Sequence, residues 1–163
     1  MSDSVVLDVV LRPATESDAP RLAATIAAAF AQYRGKLVPE SGAFGETASG
    51  IAAELAKGAG AIVAERNGEM LGCVMAKVLE GDLYFGRLSV MPEARGLGLA
   101  KRLVDAVEAD ARVRGLAGVR LGVRVVLTEN QRFFQSLGYA EISREAHPGF
   151  DYPTSINMRK ILG

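Results

Sequence analysis

The chain has 163 residues, with 19 basic and 19 acidic side chains, 49% hydrophobic residues, one His and one Cys. This length and apolar fraction predict one folded domain over residues 1–163. Zero net charge argues against a nucleic-acid partner, and a single Cys and His leave no ligand set typical of a metal site. The sequence shows neither a basic leader nor an apolar span, which predicts a cytoplasmic protein with no membrane partner.

The apolar periodicity predicts eleven elements in the order β-α-α-β-β-β-α-β-α-β-β. The first strand covers residues 5–11, a helix begins at Thr15 and runs through Phe30, residues 35–45 form a loop, and a second helix follows. The second half is read as strands over 61–65, 70–78, 83–90, 119–126, 139–145 and 155–162, with a long helix before 119–126 and a short one at 129–136. This order predicts a mixed α/β sheet with helices on both faces.

Residues 88–103, LSVMPEARGLGLAKRL, carry the clearest chemical signal. A strand leads into a loop with Gly96 and Gly98, and the loop opens directly into an amphipathic helix. The first amides of a helix have no intrahelical acceptor, and glycine lets a ligand approach the backbone closely. Lys101 and Arg102 stand in the first helical turn, where cations oppose the helix dipole unless an anion docks there. We therefore interpret this segment as a phosphate-binding site.

Two common phosphate motifs do not fit this segment. The chain lacks Gly-x-x-x-x-Gly-Lys-Ser/Thr, and Lys101 stands where the dinucleotide fingerprint Gly-x-Gly-x-x-Gly needs its third glycine. Arg95-x-x-Gly98-x-Ala100 instead resembles the pyrophosphate loop of the GNAT N-acetyltransferase superfamily, Gln/Arg-x-x-Gly-x-Gly/Ala. The lead-in Leu-Ser-Val-x-Pro at 88–92 and the string FFQSLGY at 133–139 resemble flanking motifs of the same superfamily.

This resemblance implies a single-domain, mostly antiparallel mixed sheet with a splayed parallel strand pair, formed by 83–90 and 119–126, at an acetyl-CoA cleft. The backbone of Leu88, Ser89 and Val90 would pair with the pantetheine arm. The implied cofactor-binding residues further include Arg95, Gly96, Leu97, Gly98, Leu99, Ala100 and Lys101 at the pyrophosphate, with Asn130 and Phe133 beside the arm.

The implied reaction is direct transfer of acetyl from acetyl-CoA to a primary amine, preferably of a small molecule. Two alternatives stay open: a non-catalytic acyl-CoA-binding or sensor domain, and an acetyltransferase acting on protein N-termini or lysines. A homodimer is also left open. Phe134 replaces the tyrosine that donates a proton to the leaving thiolate in many relatives, so the catalytic acid and base are unassigned.

The acceptor-side candidates are Tyr33, Glu40, Phe44, Tyr84 and Tyr152. Successive strand residues alternate between faces, so Tyr84 and Arg87 are predicted to project to opposite sides, with only one facing the site. Cys73 and Tyr139 are interpreted as core residues, and His147 as a surface-loop residue.

Overall fold

The computed structural model describes residues 8–163, which form seven strands and four α-helices in the predicted order. The strands are β1 Val10–Pro13, β2 Gly60–Arg66, β3 Glu69–Leu79, β4 Asp82–Val90, β5 Gly118–Arg124, β6 Ala140–Glu145 and β7 Ser155–Ile161. The helices are α1 Ala19–Phe30, α2 Ala48–Ala56, α3 Leu99–Val113 and α4 Thr128–Ser136. Positions 5–7 of the predicted first strand lie outside the described residues. Within 8–163, every helix is too short or too polar to cross a membrane.

The strands form one sheet in the order β1-β2-β3-β4-β5-β7-β6, and every neighbouring pair is antiparallel except β4 and β5. The parallel pairing joins only Asp82–Tyr84 to Gly118–Arg120, although β4 continues to Val90 and β5 to Arg124. The two strands therefore diverge from Tyr84 onward. The predicted splayed parallel pair is confirmed, and it leaves a V-shaped gap in the middle of the sheet.

Helices cover both faces of the sheet, as predicted. On one side, the α1/α2 face, Leu22 and Ile51 pack against Val63 and Cys73. On the other side, the α3/α4 face, the buried cluster includes residues of α3, Phe134 of α4, and the β4 and β5 residues Leu83, Phe85, Val119, Leu121 and Val123. Strand alternation then directs Tyr84, Gly122 and Arg124 toward the α1/α2 face. The gap between β4 and β5 thus has apolar side chains on the α3/α4 side and the polar side chains of Tyr84 and Arg124 on the α1/α2 side.

A buried carboxylate closes the narrow end of the V. Asp82, 1% exposed in its side chain, accepts hydrogen bonds from Arg120 Nε on β5 and from Arg159 Nε and Nη2 on β7, the latter two at 2.7 and 3.0 Å. These hydrogen bonds lower the pKa of Asp82 to about 2. The clamp joins three neighbouring strands at the point from which β4 and β5 separate.

We expect Asp82→Asn to lower the free energy of unfolding by about 2–3 kcal/mol, because Arg159 loses its counter-charge and Arg120 keeps only its ion pair with the exposed Glu80. The side chains of Arg120 and Arg159 are 27% and 26% exposed, so the loss of stability is smaller than for a fully buried ion pair. A carboxylate with a lowered pKa stabilises the fold above its ordinary pKa and loses that contribution as pH falls toward 2. Urea unfolding of both proteins from pH 6 to 2 should therefore show the difference shrinking below pH 4. A pH-independent difference would contradict this role of the charge.

Candidate active site

A cleft of about 830 Å³ occupies the V between β4 and β5. Both strands contribute to its walls, together with the C-terminal end of α1, the loop after it, the N-terminus of α3, α4 and His147. Its position follows from the short parallel pairing, because strands that part leave backbone and side chains of both edges facing one space.

The N-terminus of α3 opens into this cleft through the glycine loop. Gly96 and Gly98 have φ of +84° and +75°, a region that favours glycine, and a Cβ at either position would meet no atom within 4 Å. Arg102 N–H donates to Gly98 O at 3.2 Å, so the amides before it, from Leu99 to Lys101, have no helical acceptor. The loop therefore offers unoccupied N–H groups and open space to an anion.

Most of the predicted cofactor residues line the cleft. They are Leu88, Val90, Arg95, Gly96, Gly98, Leu99, Ala100, Lys101, Asn130 and Phe133. Ser89 and Leu97 do not: Ser89 is buried and its Oγ donates to Arg87 O at 2.9 Å, and Leu97 packs against the core of the α3/α4 face. Met91 N–H donates to Leu71 O on β3 at 2.8 Å, so strand alternation turns the Val90 N–H away from β3, toward the gap.

The cations of this end have protein partners as well. Lys101 Nζ forms an exposed ion pair with Asp105 at 2.9 Å, one turn along α3. Arg95 Nη2 donates to Ala29 O at 3.1 Å and so ties the glycine loop to α1. Asp105, one turn later in α3, therefore gives a second reason for a lysine at position 101, in addition to the phosphate ligand predicted from the sequence.

A bulge in β4 corrects the prediction for Tyr84 and Arg87. Cys73 pairs with Ser89 and Met75 with Gly86, so two β4 residues, 87 and 88, stand opposite one residue of β3. Arg87 takes a φ of +54°, and both Tyr84 and Arg87 line the cleft. The expectation that only one of them could face the site is wrong, because the extra residue interrupts the two-residue alternation.

Three of the five acceptor-side candidates lie in the cleft wall. These are Tyr33, Glu40 and Tyr84. Tyr33 Oη accepts a hydrogen bond from Asn130 Nδ2 at 3.2 Å, which links the end of α1 to α4. Phe44 instead lies beneath the Arg34 guanidinium, 4.1 Å from its ring centroid, and the exposed Tyr152 stacks edge-on against Phe150; neither lines the cleft.

His147 belongs to the cleft wall, a position that the sequence analysis did not predict. The imidazole Nδ1 of His147 contacts the hydroxyl oxygen of Thr154, and the backbone N–H of His147 donates a hydrogen bond to the same oxygen at 2.9 Å. Burial and the nearby Arg124 lower the pKa of His147, which favours neutral imidazole near pH 7. The β6–β7 loop thus brings a proton acceptor to the cleft.

The aromatic residues of α4 pack into one cluster at the cleft wall. Phe134 is 8% exposed and stacks edge-on against Phe85, Phe133 and Tyr139. Tyr139 is buried, as predicted, and its hydroxyl donates to Glu108 Oε2 at 2.9 Å.

Cys73 is a core residue, as predicted. It is fully buried in the cluster beneath α1 and α2, and burial raises the pKa of its thiol to about 12. It does not line the cleft, and at neutral pH it is a protonated thiol, not the nucleophilic thiolate.

Solved structures share this architecture over almost the whole chain. The PaiA N-acetyltransferase from Thermoplasma acidophilum, in complex with coenzyme A, has a TM-score of 0.77 at 17% identity, covering 94% of this chain and 99% of that one. An acetyltransferase of the GNAT family from Staphylococcus aureus Mu50 has a TM-score of 0.75 at 18% identity, covering 95% and 99%. The fold is therefore that of the GNAT acetyltransferases.

Sequence comparison assigns the chain within this class. Residues 27–139, more than half of the chain, match the model of the Acetyltransferase (GNAT) family. The protein belongs to this family of acetyl-transferring enzymes, which use acetyl-CoA.

Two relatives illustrate the range of proteins that it resembles. An IAA acetyltransferase of Azospirillum brasilense is 32% identical over 104 residues, 62% of this chain and 67% of that protein. A 5-NmdU N-acetyltransferase of Pseudomonas phage PaMx11 is 40% identical over 81 residues, 47% of this chain. The match spans only about half, 54%, of the phage protein's length.

Proposed function

We propose that the protein is an N-acetyltransferase that moves the acetyl group of acetyl-CoA to a primary amine of a small molecule, in a ternary complex. The observation that carries this proposal is the cleft itself, which joins a phosphate-type loop at the N-terminus of α3 to polar side chains near the α1/α2 face. Residues 1–163 would form one such domain, acting in the cytoplasm without nucleic-acid or membrane partners.

The cofactor fits the residues on the α3 side. The amides between Gly96 and Lys101 would bind the pyrophosphate, because a helix N-terminus with open glycines suits a dianion. The outward amide of Val90 would pair with the pantetheine arm as a neighbouring strand does. Phe133 and Asn130 would border that arm, since both line the same cleft.

The chemistry requires one proton to leave the amine and one to reach the thiolate. Acetyl-CoA supplies the thioester carbonyl, at which a C–N bond forms and the C–S bond breaks. His147 would accept the proton of the amine, because its imidazole lines the cleft and is held by Thr154. Phe134 has no proton to donate to the leaving sulfur.

Tyr84 would supply the proton that Phe134 cannot. It is the last β4 residue paired with β5, so its side chain stands where the V opens. Its hydroxyl lies 3.3 Å from the position of a Cβ on Gly122, two residues beyond its β5 partner Arg120. Burial raises the pKa of Tyr84, so the phenol stays protonated over the neutral range. Tyr33 also lines the cleft, and because its Oη accepts the hydrogen bond from Asn130, its own proton stays free, which makes Tyr33 the alternative donor.

Direct transfer predicts that the one thiol of the chain is dispensable. Cys73→Ala should keep kcat within about threefold of wild type, because the thiol is buried away from the cleft and protonated. Its free energy of unfolding should fall by about 1 kcal/mol through the lost packing. A folded Cys73→Ala protein without turnover, together with an acetylated wild-type protein in the mass spectrum, would overturn direct transfer.

The proposal is tested by incubating the protein with acetyl-CoA and a panel of primary amines, and measuring free-thiol release. Amine-dependent release supports the enzyme. Tight binding of acetyl-CoA without release for any amine would instead support the alternative of an acyl-CoA-binding or sensor domain. Preference for a peptide N-terminus or lysine over every small amine would support a protein acetyltransferase.

A further inference from the structure

Arg124 is a partly buried cation on the α1/α2 side of the cleft. Its strand neighbours Leu121 and Val123 pack into the core of the α3/α4 face, which turns Arg124 the other way. Nη2 of Arg124 donates to the backbone oxygen of Glu40 at 3.2 Å. Among residues 8–163, no carboxylate lies within 4.0 Å of its guanidinium nitrogens.

The carboxylates around it are used elsewhere. Glu40 Oε1 accepts the N–H of Gly35 at 2.8 Å and so closes its own loop. Glu46 pairs with Arg87, with 3.5 Å between Oε2 and Nε. Glu145, beside His147, accepts from Asn157 Nδ2 at 2.8 Å. None of them forms an ion pair with Arg124.

Three other partly buried arginines of this protein do have carboxylate partners. Arg12 forms ion pairs with Asp18 and Glu65, and Arg120 and Arg159 share Asp82. Arg124 differs from them because its side chain faces a cleft that a substrate must enter. The Glu40 carboxylate acts on Arg124 electrostatically but does not contact it, so the guanidinium is partly removed from water without a directly bonded counter-charge, and a bound anion would supply one.

Building on the proposed function, we propose that Arg124 binds an anionic group, a carboxylate or a phosphate, carried by the amine acceptor. The planar guanidinium matches either group with two parallel N–H donors. The charge of Arg124 also disfavours polyamines, which carry no anionic group to pair with it.

The test compares acceptors in matched sets that share one carbon skeleton: an amino acid, its decarboxylated amine, and the corresponding aminoalkyl phosphate. We expect kcat/KM to be at least tenfold higher for one of the anionic members than for the decarboxylated amine. Which anionic member is preferred distinguishes a carboxylate from a phosphate. Arg124→Gln should remove this preference mainly through a higher KM, and Arg124→Lys should restore part of it.

Two controls distinguish a role of Arg124 in binding the acceptor from a structural role. Arg144→Gln removes the same charge from an exposed residue of β6 outside the cleft, and should leave the preference unchanged. If Arg124→Gln lowered kcat/KM equally for charged and uncharged acceptors, Arg124 would act through its bond to the Glu40 loop or through the pKa of His147, and the inference would be wrong. Equal wild-type kcat/KM for all members would also refute the inference while leaving acetyl transfer intact. Absence of turnover with every amine would contradict the proposed function itself.

Discussion

Gly98→Val is expected to weaken coenzyme A binding at least tenfold, about 1.4 kcal/mol. Gly98 stands at the start of α3 with φ of +75°, and the space that a side chain would fill is open to the cleft. A β-branched residue would both strain this backbone and place methyl groups where the pyrophosphate approaches the amides of α3. Calorimetric titration with coenzyme A measures the change.

Gly115→Val is the matched control for this variant. Gly115 follows the other end of the same helix, with φ of +70° and nothing within 4 Å of its Cβ position. It carries the same backbone strain but lies outside the cleft. We expect Gly115→Val to lower the melting temperature as Gly98→Val does while leaving coenzyme A affinity unchanged. Unaltered affinity in a folded Gly98→Val protein would show that the cofactor phosphates bind elsewhere.

Tyr84→Phe is expected to lower kcat about 100-fold, the lower end of the range for a positioned general acid. Acetyl-CoA affinity should change little, because the substitution removes one hydroxyl and keeps the ring. In the wild type, kcat should fall at alkaline pH as Tyr84, whose pKa burial raises above its ordinary value, loses its proton. It should also fall at acid pH as His147, whose pKa is lowered, becomes protonated and can no longer accept the amine proton. Initial rates across acid and alkaline pH, with saturating acetyl-CoA and a working amine, measure these effects.

Tyr152→Phe provides the comparison, because Tyr152 is 55% exposed and stands outside the cleft lining. Its kcat should match that of the wild type. A Tyr84→Phe enzyme with wild-type kcat would show that Tyr84 is not the acid that protonates the leaving thiolate. A thiol with a pKa near 8.5 can leave with little assistance.

The parts of the site that the sequence predicted are local. The glycine loop and the start of α3 lie within one continuous segment, and a helix N-terminus after a strand needs no distant partner to define its geometry. Gly96 and Gly98 therefore lie in the cleft as predicted. The splayed pair was also anticipated, but through family resemblance, since no spacing of apolar residues encodes where two strands part.

The residues that sequence reasoning misplaced depend on distant contacts. The bulge at Arg87 is defined by the register of β4 against β3, and alternation within β4 alone predicts the opposite face. His147 reaches the cleft because Thr154 and the β6–β7 pairing fold its loop inward. Single residues in a loop carry no such signal in the sequence, although loops often contribute functional residues.

Acetyl transfer in this cleft is tested most directly by the balance between its two products. Wild-type protein is mixed with acetyl-CoA and the best amine of the panel, and free thiol and N-acetylated amine are quantified over the same time course. We predict one acetylated amine for each thiol released, with negligible release when the amine is left out. Thiol release at the same rate with and without amine, or no acetylated amine at all, would contradict acetyl transfer in this cleft.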